Sequence, residues 1–160
     1  MVHLTINEKQ LKRAEALYEF KKLNNSIMKG ESNIYGALGE ILVWDRYKKI
    51  TKYAGDYNYD LIIKGVTVEV KTKRTTVEPK PHYWATIADC TKKQNCQYYC
   101  FVRVHEEFKD AWLLGWKKPD EFFNEAIYYY KDDIDPTDPR GWQFKEDCWN
   151  LAISNLTTIE

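Results

Sequence analysis

The chain has 160 residues with 24 basic and 24 acidic side chains, so the formal net charge is zero, and any attraction to a polyanion must come from a local patch. That length suits one well-buried domain and is short for two. No segment joins basic residues to an apolar run and a cleavage site, and none reaches the about 20 apolar residues of a membrane span; a soluble, cytoplasmic protein is expected.

Near the start, Thr5 and Glu8 have capping-box spacing, and Leu11, Ala14, Leu17, Tyr18 and Ile27 follow near helical period. They predict a helix within residues 1–30, ending around Gly30. A second helix, from about Asn33 to Tyr47, is almost wholly apolar in its middle, which implies burial on most sides. "YDLIIKGVTVEVKTKR", Tyr59 to Arg74, reads as two strands joined by a tight turn. The prolines of "TTVEPKPHYW" mark a loop, and "ATIADCTKKQN" suits a short helix. "QYYCFVRV" and "AWLLGWK" then read as an antiparallel pair around "HEEFKD". A short helix at Pro119, a last strand, a surface loop in "KDDIDPTDPRGW" and a short C-terminal helix complete the order. The class is α+β, built on one mostly antiparallel sheet.

Four cysteines, Cys90, Cys96, Cys100 and Cys148, allow two disulfides or one zinc site. Only Cys96 and Cys100 approach zinc-pair spacing, and Cys100 lies in an apolar run, so reduced thiols are expected.

The hairpin carries the chemistry. With Lys64 and Gly65 as turn residues, Leu61 pairs with Val68 and Asp60 falls opposite Glu69. Alternation puts Leu61, Ile63, Val66, Val68 and Val70 on the core face. Asp60, Ile62, Thr67, Glu69, Lys71 and Lys73 share the other face. Two carboxylates about 5 Å apart destabilise a hairpin unless a cation lies between them. Mg²⁺ takes such hard oxygen ligands, and Lys71 points to the same place. The Glu-x-Lys tripeptide itself means little, since it also occurs at Glu19/Lys21, Glu78/Lys80 and Glu107/Lys109. The opposed Asp60 distinguishes this copy. A third carboxylate, Glu40 in "GALGEILVW", sits among apolar neighbours where a lone charge is costly unless it is paired or binds metal. After the hairpin, Lys73 and Arg74 are the candidate phosphate contacts, with Lys80 and His82 further on.

In Glu40, Asp60, the "EVK" of Glu69, Val70 and Lys71, and Gln94 downstream, the sequence resembles the PD-(D/E)xK nuclease superfamily, in particular its small phage-encoded members. The residue before Asp60 is Tyr59, where the motif has proline. The resemblance covers roughly residues 33–104 and implies a restriction-endonuclease-like catalytic core, a mixed central sheet flanked by helices. Residues 105–160 are then a peripheral strand, helix and tail. By resemblance, Asp60, Glu69 and the Val70 carbonyl hold Mg²⁺, for which Mn²⁺ substitutes. Glu40 contributes through water or a second ion, Lys71 positions the attacking water, and Gln94 supports the site. The activity implied is DNA phosphodiester hydrolysis in a host cytoplasm, by a monomer or homodimer. A branched-DNA resolvase and a non-catalytic nucleic-acid-binding domain are the alternatives.

Overall fold

The computed structural model describes residues 1–23, 34–92 and 94–159. Three helices, α1 (Glu8–Leu23), α2 (Ile34–Arg46) and α3 (Pro119–Glu125), accompany two sheets. The larger sheet has six strands: β1 (Val2–Thr5), β2 (Thr51–Tyr53), β3 (Leu61–Ile63), β4 (Val66–Thr75), β6 (Tyr98–His105) and β7 (Asp110–Lys117). Their spatial order is β1-β7-β6-β4-β3-β2. Only β4 and β6 run parallel; every other neighbouring pair is antiparallel. The smaller sheet sets β5 (Trp84–Ala88) against β9 (Cys148–Ala152) and β9 against β8 (Ile127–Tyr129). The fold is thus α+β with a mixed sheet.

The hairpin register agrees with the sequence reading: Leu61 faces Val68, Ile62 faces Thr67 and Ile63 faces Val66. Lys64 and Gly65 have φ of 52° and 79°, the two left-handed residues of a tight hairpin turn whose twist matches that of the strands. Leu61, Val68 and Val70 then pack with Ala37, Leu38 and Ile41 of α2 in one buried cluster.

Several expectations are corrected. A strand, β1, precedes the first helix, and the cap of that helix is Asn7, not Thr5. Asn7 Oδ1 accepts the Gln10 N–H at 2.9 Å while Gln10 Oε1 accepts the Asn7 N–H at 3.1 Å, the reciprocal pairing predicted two residues too early. The predicted end of this helix at Gly30, and Asn33, lie outside the described residues. The expected short helix at "ATIADC" is strand β5 with one 3-10 turn, and the expected C-terminal helix is strand β9 with another. The β5 segment alternates buried and part-exposed residues, and the two strands pair along their length, Trp84 with Ala152 through Ala88 with Cys148. The tail of residues 105–160 is therefore not peripheral decoration.

These strands also change how the large sheet is covered. The helices α1 and α2 lie on one face. The other face is closed by the small sheet and α3 around Tyr99, Phe101, Phe122 and Leu151. Helices α1 and α2 thus flank one side, whereas on the other α3 shares the cover with the small sheet. The charged face of β4 therefore looks into the space between two sheets, not outward to solvent. Among the described residues no helix is long and apolar enough to cross a membrane.

Candidate functional site

Glu40, Asp60 and Glu69 are 5%, 8% and 7% exposed, so three acidic side chains are buried near one end of the hairpin. Each arrives there for a local reason. Glu40 belongs to α2, whose neighbouring residues from Ala37 to Val43 are all buried. The helix lies close to β4 because Gly39 has no side chain: an added Cβ would stand 1.9 Å from Thr72 Oγ1. Glu69 and Lys71 sit on the face of β4 opposite Val68 and Val70 by simple strand alternation. Asp60 stands just beyond β3, at the junction of the two faces. Its N–H donates to the Val68 carbonyl at 3.0 Å, and its own carbonyl accepts the N–H groups of Ala54 and Gly55 at 2.9 and 3.1 Å. Its Oδ2 accepts the Val70 N–H at 2.8 Å, tying the carboxylate to the strand it was expected to oppose.

Two ammonium groups serve these acids. Lys71 Nζ donates to Glu69 Oε1 at 3.0 Å and also to Gln94 Oε1. Gln94 in turn donates Nε2 to Glu69 Oε1 at 2.9 Å and to the Tyr57 carbonyl at 2.8 Å. The second ammonium is Lys21, near the end of α1. It donates to Glu40 Oε1 and lies 3.7 Å from Asp60 Oδ1. Lys21 is held there by the docking of α1 on α2, where Ala14 is fully buried and Asp45 accepts from Gln10 at 3.0 Å and from Arg13 at 2.6 Å.

The charges do not balance locally. Glu40 Oε2 and Glu69 Oε2 are buried without a hydrogen-bond partner among the described residues. Burial, then the charge of Asp60, push the Glu69 carboxyl up to about 8, despite the opposing pull of Lys71 and Gln94. Burial and Asp60 likewise hold the Glu40 carboxyl well above the usual range, against Lys21. Burial also pushes the Tyr53 phenol up to about 12, with Glu40 adding to the effect. Burial and mutual repulsion thus disfavour the ionised form of both carboxyls unless a further cation neutralises them. Among the described residues no three His, Cys, Asp or Glu side chains form a closed ligand set around one point.

The structure thus brings together Glu40, Asp60, Glu69, Lys71 and Gln94, with the Val70 N–H joined to Asp60. It separates the two phosphate candidates. Lys73 turns into the space between the sheets, its ammonium 5.2 Å from the Trp142 ring. Arg74 is exposed on the opposite side and pairs with Glu106 at 2.5 Å. Lys80 and His82 are exposed in the loop before β5.

Lys21 was missed from the sequence, although its signal was present. It lies seven residues after Ala14 and four after Leu17, on the stripe by which α1 packs. A lysine at a core-facing position implies a buried acid across from it. Arg103 was missed too, because it is one cation in the apolar run of β6. The chain matches no family model and no curated protein.

Proposed function

We propose that the protein is a Mg²⁺-dependent deoxyribonuclease with a restriction-endonuclease-like core, acting as an endonuclease on DNA, with Mn²⁺ able to substitute. The observation that carries this reading is the mismatch at the site: among the described residues three buried carboxylates share two ammonium groups, and two carboxylate oxygens have no hydrogen-bond partner. Buried charge is costly unless it is neutralised. A hard divalent cation fits this oxygen-rich donor set. The residues that would hold it are Asp60 and Glu69 with the Val70 carbonyl, and Glu40 would join them.

When bound, the cation supplies Lewis-acid neutralisation of the phosphoryl oxygens in hydrolysis of the diester. Glu69 and Gln94 hold the Lys71 ammonium in place, from where it orients the attacking water and meets charge developing on the phosphate. Asp60, anchored by the Val70 N–H, keeps its carboxylate at the junction of helix and hairpin. The test is cleavage of plasmid, linear, single-stranded and branched DNA, and of RNA, with Mg²⁺, Mn²⁺ or EDTA. Metal-dependent DNA scission supports the proposal, and binding without scission in any metal refutes it. Paired nicks confined to four-way junctions, together with a dimer by light scattering, would identify a resolvase.

Lys21 occupies the gap between Glu40 and Asp60 as an internal cation. Lys21→Met is expected to lower metal-free stability by about 1–3 kcal/mol, less than for a wholly buried pair because the lysine is partly exposed. It is also expected to enlarge the rise in Tm that Mg²⁺ produces. Thermal melts with EDTA and with Mg²⁺ check both effects, and an unchanged Mg²⁺ response would show that lysine and metal do not compete.

A further inference from the structure

A second pair of charges, one half-buried and one buried, lies across β4 and β6. In the β4–β6 register Lys73 pairs with Arg103, so the two cations stand side by side on strands about 4.8 Å apart. Both project into the space between the sheets. Arg103 is only 8% exposed, and among the described residues its one side-chain hydrogen bond is from Nη2 to the Trp84 carbonyl, at 2.6 Å. A guanidinium has five N–H donors. Lys73 meets the Trp142 ring, and among the described residues neither cation is in an ion pair.

The buried acid at this end is already used. Asp135 Oδ2 accepts the Trp84 indole N–H at 3.1 Å, and Oδ1 accepts the N–H and hydroxyl of Thr137 at 2.8 and 2.7 Å. Asp135 and Glu146 act on Lys73 only at longer range; burial and then Arg103 lower the lysine to about 8. Yet no nitrogen of Lys73 or Arg103 is both sealed from solvent and unpartnered. Both residues help to line a cavity of about 20 Å³, together with Lys71, Trp84 and Phe101. That space holds one oxygen-sized group.

A buried guanidinium beside a half-buried ammonium, with no ion-pair partner among the described residues and a small cavity at hand, makes a prepared anion site. We infer that Lys73 and Arg103 form a seat for one phosphoryl oxygen of a nucleic-acid backbone, next to the phosphate handled at Lys71. The step from Lys71 to Lys73 is about 6.6 Å along the strand, of the order of the separation between neighbouring phosphates on one chain. The seat itself follows from the geometry; the choice of nucleic acid as its ligand rests on the nuclease reading. It assigns Arg103 a role in binding and favours Lys73 over the exposed, paired Arg74 as the main phosphate contact.

The test uses the whole chain in EDTA, so that no cleavage intervenes. Wild type, Lys73→Gln, Arg103→Lys and a surface control, Lys109→Gln, are compared in two assays. Melting is followed with inorganic phosphate against chloride at equal ionic strength, and binding of a labelled oligonucleotide is followed by anisotropy across a salt series. Phosphate is expected to raise the Tm of wild type and Lys109→Gln but not of Lys73→Gln. Oligonucleotide affinity is expected to fall about tenfold in Lys73→Gln, with a salt slope lower by about one. Arg103→Lys keeps the charge and is expected to bind oligonucleotide more weakly than wild type, because it loses the fork of donors. Dependence on Lys73 in either assay supports the seat, and independence in both overturns it. If phosphate responds to Lys73 but wild type binds no oligonucleotide, the seat stands for another phosphate-bearing ligand and the nuclease reading fails.

Discussion

Glu69→Gln is expected to reduce Mg²⁺-dependent cleavage by at least about 10²-fold, the scale of removing one group that stabilises charge at a reacting centre. Its effect on stability should run the other way. Burial and the charge of Asp60 push the Glu69 carboxyl up to about 8, from its ordinary value of 4.5. Between those pH values the folded protein binds more protons than the unfolded chain, so stability falls as pH rises through the window and levels off above it. Gln cannot ionise, and its Oε1 can still accept from Lys71 and Gln94 as Glu69 Oε1 does. In EDTA the variant should therefore match wild type near pH 5 and melt higher at pH 8 to 9. Mg²⁺ should restore stability to wild type at high pH and leave the variant unmoved. Single-turnover cleavage and melts at several pH values read all of these. Retained cleavage would remove Glu69 from the site, whereas a flat pH response would show that its carboxyl is not strained by its surroundings.

Gly39→Ala is expected to destabilise the fold by about 1–3 kcal/mol, although alanine is the better helix former by about 1 kcal/mol. The new Cβ would lie 1.9 Å from Thr72 Oγ1 and 3.0 Å from Thr72 Cβ and Cγ2. Turning the hydroxyl away relieves the first contact and leaves the carbons, so helix and strand must part. Thr72 Oγ1 is buried with no hydrogen-bond partner among the described residues, so Thr72→Ala gives up no bond to them. The double variant should recover most of the lost stability, a non-additivity of the kind expected for residues in contact. A fall in Tm of several degrees for Gly39→Ala, reversed by Thr72→Ala, is the expected pattern. Because Gly39 precedes Glu40, parting helix from strand also draws that carboxylate away from Asp60. Wild-type stability in the single variant would mean that the approach of α2 to β4 is not tight.

The hairpin was legible because its information is local. Lys64-Gly65 sets the turn, alternation sorts apolar from charged positions, and together they set Leu61 opposite Val68 with Asp60 next in line. The helical Glu40 stood out because its neighbours are apolar. Strands β5 and β9 were not legible: each is short, and each depends on a partner more than 60 residues away in sequence, as Ile87 does on Trp149. Local propensity cannot report such pairings.

By itself, then, the sequence determined which side chains of the hairpin share a face, since strand period and turn geometry are properties of neighbouring residues. It also marked Glu40, Asp60, Glu69, Lys71 and Gln94 as candidates. Only the tertiary structure decided what that face looks at. The small sheet covers it, so Arg103 is a buried cation and Lys73 a half-buried one instead of free surface charges. Only the packing of α1 on α2 brought Lys21 between Glu40 and Asp60. Both outcomes depend on contacts between segments distant in sequence, where burial and the balance of charge are set by the whole fold.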